Sequence, residues 1–227
     1  MKRAIINEIK QLHEKLQGHV YMMFFGYNNL CVKADPTSLI PISVMVEGEQ
    51  KPLEEVATIA QKGDYEFAIV PKMEEDLMAI AKGIASSHPE FKQERKTLDV
   101  ELQDGTHRSI PYLLLTMPEV DDYRYDLLKN TADAIYNACK GKMEATNIKT
   151  DARLAALCTD ENPQDIDEMK KALDEQRKMW NQHRDKLHSD KLQEIEEGHQ
   201  RWLTQREGQQ EGNGDNSVAT SMHINQE

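Results

Sequence analysis

The sequence predicts an α+β fold: a long three-helix bundle with a small α/β domain, sandwich-like or barrel-like in its strands, inserted into it. Two helical periods and one change of period carry this prediction. From Glu119 to Leu203 the chain reads as two long helices. Leu128, Ala132, Ile135, Cys139 and Met143 step by threes and fours along the first, and Ile166, Leu173, Trp180 and Leu187 by sevens along the second. Near the N-terminus, Ile5, Ile9, Leu12, Leu16, Val20, Phe24, Tyr27 and Cys31 continue a helical step and supply the third helix. Between these, from Pro36 to Met117, the apolar residues alternate instead.

Each element has local reasons. In the first helix Gly18 and Gly26 each cost roughly 1 kcal/mol. A shorter helix to Gln17 followed by a hairpin turning at Tyr27-Asn28-Asn29 is therefore the rival reading. Pro36 pushes Asp35 out of helical conformation and ends the element. Ile42, Val44 and Val46 alternate as a strand and Gly48 marks a turn. Pro52 to Ala57 is a short helical or extended connection. Tyr65, Phe67 and Ile69 form a strand stopped by Pro71. Glu74 to Ser86 is a helix with Leu77, Ile80, Ala81 and Ile84 on one side. Leu98, Val100 and Leu102 alternate, Asp104-Gly105 signals a tight turn, and Arg108 to Leu115 is extended. Asp160-Glu161-Asn162-Pro163 separates the two long helices, with Asn162 as the cap and Pro163 in the first turn. The expected domains are residues 1–35 with 118–203 (bundle), 36–117 (inserted), and a disordered tail, 204–227, too poor in apolar residues to offset the entropy of ordering.

Charge and cysteine content narrow the function. Lys and Arg number 28 against 40 Asp and Glu, a net charge of −12. Only residues 1–35 are positive on balance, so any nucleic-acid contact must be local. Cys31, Cys139 and Cys158 are odd in number and far apart, which gives neither a disulfide framework nor zinc spacing. Buried reduced thiols are expected. With no signal-peptide pattern and no apolar run near the roughly 20 residues of a membrane span, the expected protein is cytoplasmic. His183 and His188 are five apart and do not share a helical face. No His-Glu-x-x-His or Gly-rich phosphate loop occurs, so surface histidines, no metal, no cofactor and no catalytic residue are expected. Trp180 belongs to the apolar stripe, whereas Trp202 can pack or contact a partner.

Six segments in one order resemble the ribosome recycling factor family. Ala34-Asp35-Pro36 with Leu39 and Ile42 is similar to the family's exit from its first helix. Gly48, Pro52, Leu53, Val56, Ala57 and Ile59 match a second signature, and Ile80, Lys82, Gly83, Ile84 and Ser87 a short-helix motif. Asp104-Gly105 with Arg108, Ile110, Pro111, Leu115 and Thr116 resembles the strand leading back to the bundle. Asn147-Ile148-Lys149-Thr150-Asp151-Ala152 resembles Asn-Val-Arg-Arg-Asp-Ala, and Asp167 to Glu175 the start of the last helix. There are departures. One Lys stands for three Arg around position 149, Thr146 and Thr150 occupying the other two places. Lys33 alone remains of two basic residues at the end of helix one, and the stretch Thr116–Asn147, including Met117 to Asp122, is longer than usual.

The resemblance implies an L-shaped monomeric protein without enzymatic activity. It implies binding to large-subunit RNA of a bacterial-type ribosome, and splitting of post-termination ribosomes with elongation factor G. The RNA-contact candidates are Lys33, Lys142, Asn147, Lys149 and Arg153, and Arg at position 150 is expected to strengthen binding. Hinge candidates are Asp35 and Pro36 on one strand and Thr116, Met117 and Pro118 on the other. Ordinary solvated charge is the alternative for the basic residues. For the whole protein the alternatives are a diverged family member that regulates or competes at the ribosome, and an acidic helical protein–protein adaptor.

Overall fold

A computed structural model describes residues 3–101, 107–159 and 161–214, with Glu101 and residues 209–214 described by backbone alone. The chain divides into two compact units. Of the described residues, one unit contains 3–30 and 126–193, and the other 31–125 and 194–214.

The first unit is a three-helix bundle of α1 (Arg3–Asn28), most of α4 (Asp122–Leu157) and the first part of α5 (Pro163–Gly214). Along α1 the buried residues are Ile5, Leu12, Leu16, Val20, Met23 and Tyr27, one stripe at helical spacing. The helix runs through both glycines, so packing of this stripe outweighs their propensity cost. No hairpin forms at Tyr27. Its buried ring sends the hydroxyl to Ala132 O (3.3 Å) and to within 2.8 Å of His188 Nδ1. The helix stops at Asn28, seven residues before Asp35. Phe24, placed in the stripe by its spacing, is exposed, and Met23 takes the inner position. On α4, Leu128, Ala132, Cys139, Met143, Thr150 and Leu154 face inward. Asn162 caps α5: its Oδ1 accepts the Asp165 N–H at 2.8 Å, with Pro163 following as the first helical residue. The inward residues of α5 are Met169, Leu173, Trp180 and Arg184, while Ile166 and Leu187 are half-buried. A strict seven-residue stripe drifts by about 20° per heptad around a straight helix, which moves the ends of the predicted line off the core.

The second unit holds two antiparallel sheets. Strands β1 (Ser43–Val46) and β2 (Glu49–Pro52) form a hairpin, and β3 (Ala57–Gly63), β4 (Glu66–Pro71), β5 (Lys92–Glu101) and β6 (His107–Thr116) form a sheet ordered β3-β4-β6-β5. Glu47 and Gly48 both have positive φ (54° and 83°), the backbone a two-residue hairpin loop needs to match strand twist. The short helix α2 (Leu53–Val56) links the sheets, and α3 (Leu77–Ser87) packs on β1. Gly83 makes that approach possible, because a Cβ there would lie 3.0 Å from Ser43 O and from Val44 Cγ2. Phe67, Ile69, Leu115, Ile80, Ile84, Leu39 and Leu53 fill the core. Asp35 Oδ1 accepts the Thr37 N–H (2.9 Å) and caps a 3-10 turn over Pro36–Leu39.

The alternation predicted neither β2 nor β3. Both are mostly exposed, and their places are set by pairing to apolar partners. Asp104-Gly105 lies outside the described residues. At the C-terminal end the helix continues through residues 204–214, where disorder was expected. An existing helix propagates through Gln, Arg and Glu without needing apolar burial. Arg206 lies 4.7 Å from the Trp202 ring and 3.9 Å from Asp122 Oδ2.

Candidate functional site

Lys142, Lys149 and Arg153 lie seven and four residues apart on α4, so they share one helical face. All three are exposed. Arg153 Nη1 is 3.6 Å from Glu8 Oε2, with the guanidinium still largely in solvent. Lys149 has neither an ion pair nor a side-chain hydrogen bond among the described residues. Lys142 lies near His19, whose pKa is lowered by burial and secondarily by the Lys142 charge; His19 Nε2 is 2.9 Å from Thr146 Oγ1.

The segment around Lys149 sorts its side chains by direction. Asn147 Oδ1 accepts from Arg177 Nε at 3.3 Å, and Arg177 also pairs with Asp151. Asn147 and Asp151 therefore tie α4 to α5 rather than standing free for a ligand. Thr150 is 3% exposed and faces the bundle core, not the outward side that a further RNA contact needs. Ile148, 69% exposed, and Lys149 point out together. Arg177 carries no motif of its own and was missed in the sequence; its role shows only once α5 lies beside α4.

The other candidates belong to the second unit. Lys33 follows α1 and is half-buried, its Nζ 2.6 Å from Glu197 Oε2. That hydrogen bond raises the lysine pKa. Asp35 and Pro36 build the capped 3-10 turn. Thr116 closes the β6 ladder opposite Glu66 and Lys92, and the buried Met117 donates its N–H to Tyr65 O at 2.8 Å. Pro118 lines a small cleft with Tyr65, Gly198, Arg201 and Trp202, where the Arg201 guanidinium lies 3.5 Å above the Tyr65 ring.

The family model described as ribosome recycling factor matches residues 28–197, three quarters of the chain. The chain belongs to the ribosome recycling factor family. The solution structure of the ribosome recycling factor superposes with a TM-score of 0.65 at 15% identity, covering 87% of this chain and all of that one, and shows the same fold. A further match is to models of the T. thermophilus ribosome recycling factor and the E. coli elongation factor G bound to the E. coli post-termination complex. That match has 20% identity and a TM-score of 0.48, over 82% of this chain and 98% of that one. A comparison with curated proteins found no match. Ribosome recycling factors are translation factors that bind ribosomes rather than enzymes, and the mixed architecture of long helices and a small sheet domain is that of the family. Among the described residues no helix is long and apolar enough to cross a membrane.

Proposed function

We propose that this protein binds the large ribosomal subunit through the α4 face bearing Lys142, Lys149 and Arg153, and with elongation factor G splits post-termination ribosomes. Family membership supports the activity, and the outward Lys149 supports the place of contact. A lysine or arginine suits such a surface because it forms charge-assisted hydrogen bonds to phosphate. The protein contributes position rather than chemistry: the bundle occupies the ribosome as a monomer, and the sheet domain, flanked by Asp35, Pro36, Thr116, Met117 and Pro118, is the part elongation factor G acts on. Lys33 enters this proposal only if its pairing with Glu197 opens, and Asn147 enters as the residue that orients the segment.

One observation favours a second reading, a family member that occupies the ribosome without splitting it. The cationic face is thin, because Thr150 points inward and Arg153 is 3.6 Å from Glu8. Co-sedimentation with large subunits over a range of salt tests the proposed contact. Three phosphate contacts should give a log–log slope of about −2 to −3. Binding that ignores salt would point to a protein partner instead.

A further inference from the structure

Cys31, His88 and Glu90 place one sulfur, one ring nitrogen and one carboxylate oxygen within 4.8 Å of one another. His88 ends α3, where its N–H bonds Ile84 O at 2.7 Å, and its ring is stacked on Phe91 at 4.5 Å, so its orientation is held. Nε2 lies 3.2 Å from the Ser38 carbonyl oxygen. A carbonyl only accepts, so Nε2 carries a hydrogen and the Nδ1 lone pair is directed at the other two groups. Nδ1 is 3.0 Å from Glu90 Oε1 and 3.9 Å from Cys31 Sγ.

We propose that Cys31, His88 and Glu90 form a divalent metal site of the zinc type, with water in the fourth position. Thiolate, imidazole and carboxylate are the ligand types zinc takes, and tetrahedral bond lengths of about 2.0–2.3 Å put neighbouring ligand atoms about 3.5 Å apart. The Cys31–His88 and His88–Glu90 separations of 3.9 and 3.0 Å bracket that spacing, and the Glu90 side chain, 30% exposed, has room to adjust. The backbone carbonyl on Nε2 is the outer contact that ligating histidines commonly have. Cys31 and His88 are buried, so solvent reaches the site from the Glu90 side, which is also where water completes the coordination.

A catalytic thiol fits this geometry less well. A Cys–His–carboxylate relay uses both ring nitrogens, one for the thiol and one for the carboxylate. Here the thiol and Glu90 share Nδ1, and Nε2 is occupied by a carbonyl. The opposing charge is Arg124, whose Nη2 donates to Cys31 O at 3.1 Å. Asp121 Oδ1 accepts the Arg124 backbone N–H at 2.7 Å and holds that residue in place, so one fixed cation faces the two anionic ligands.

Equilibrium dialysis of the full chain against Zn²⁺, with Co²⁺ as a spectroscopic probe, tests the site. One Zn²⁺ per chain, a rise in melting temperature with Zn²⁺, and a thiolate-to-cobalt charge-transfer band are expected. Cys31→Ser should lose the band, His88→Gln should lose binding, and Glu90→Gln should weaken it. Cys139→Ser and Cys158→Ser should change none of these. Absence of the cobalt band in the parent protein overturns the proposal, whatever the variants do. So does zinc binding that survives both Cys31→Ser and His88→Gln, which would place the ion on surface groups.

Discussion

Lys33 Nζ lies 2.6 Å from Glu197 Oε2, and the Lys33 backbone N–H donates to Glu194 Oε1 at 3.2 Å. The residue that the resemblance places among the RNA contacts is engaged within its own unit. Lys33→Met should therefore change ribosome affinity less than Lys149→Ala does. Its stability cost should be small, about 0.2–1 kcal/mol, because both side chains remain more than a third exposed and the pair is screened by solvent. Sedimentation binding and thermal melts of the two variants decide this, and a larger affinity loss for Lys33→Met would mean that the pair opens on the ribosome.

On the α4 face Arg153 is paired with Glu8, whereas Lys142 and Lys149 have neither an ion pair nor a side-chain hydrogen bond among the described residues. Lys149→Ala should weaken ribosome binding by about 1–2 kcal/mol, the loss of one charge-assisted hydrogen bond. It should also flatten the log–log salt slope by about one unit. An unchanged slope would show that Lys149 stays in solvent.

Position 150 separates family pattern from local environment. Thr150 is buried, so Thr150→Arg should destabilise the bundle by at least about 3 kcal/mol, an uncompensated charge having been placed in the core. Ile148→Arg adds the same charge on the exposed side and should leave the melting temperature nearly unchanged while steepening the salt dependence of binding. Denaturant melts of both variants read this directly. Equal stability of the two would contradict the inward orientation of Thr150.

Much of this was legible in the chain and some was not. The three helices declared themselves because their inward residues recur at helical spacing, and Asn162-Pro163 marked the restart by a cap that the structure contains. The apolar strands β1 and β4 were legible for the same reason, at period two. Strands β2, β3 and the polar first half of β5 were not, since an edge strand needs no buried face of its own. The cationic face could be named from Lys149, but the inward turn of Thr150 and the hold of Arg177 on Asn147 depend on how α4 meets α5. The Cys31–His88–Glu90 cluster was hidden for a related reason. Its cysteine and histidine are 57 residues apart, and only the fold of the sheet unit joins them.

His19 gives a pH dependence with a defined sign. Burial and Lys142 lower its pKa from the ordinary 6.5, so the unfolded chain takes up a proton more readily than the folded one. The stabilisation associated with neutral His19 is present above about pH 6.5 and is lost as pH falls from there through the lower folded value. Melting temperatures of the parent and of His19→Gln between pH 8 and pH 5, an interval of about one unfolded-state titration, should converge or cross in the acidic half. Lys142→Ala should raise the His19 pKa seen by NMR titration. A parent–variant difference that is constant with pH would remove His19 as a titrating group.

Subunit splitting measures the central claim most directly. Post-termination ribosomes are incubated with the full-length protein, elongation factor G and GTP, and the subunits are separated by sedimentation. The proposed function predicts conversion of whole ribosomes to subunits that requires the protein, elongation factor G and GTP together, and that falls in Lys149→Ala. Saturating ribosome binding with no splitting under these conditions would contradict it and establish the competitor reading in its place.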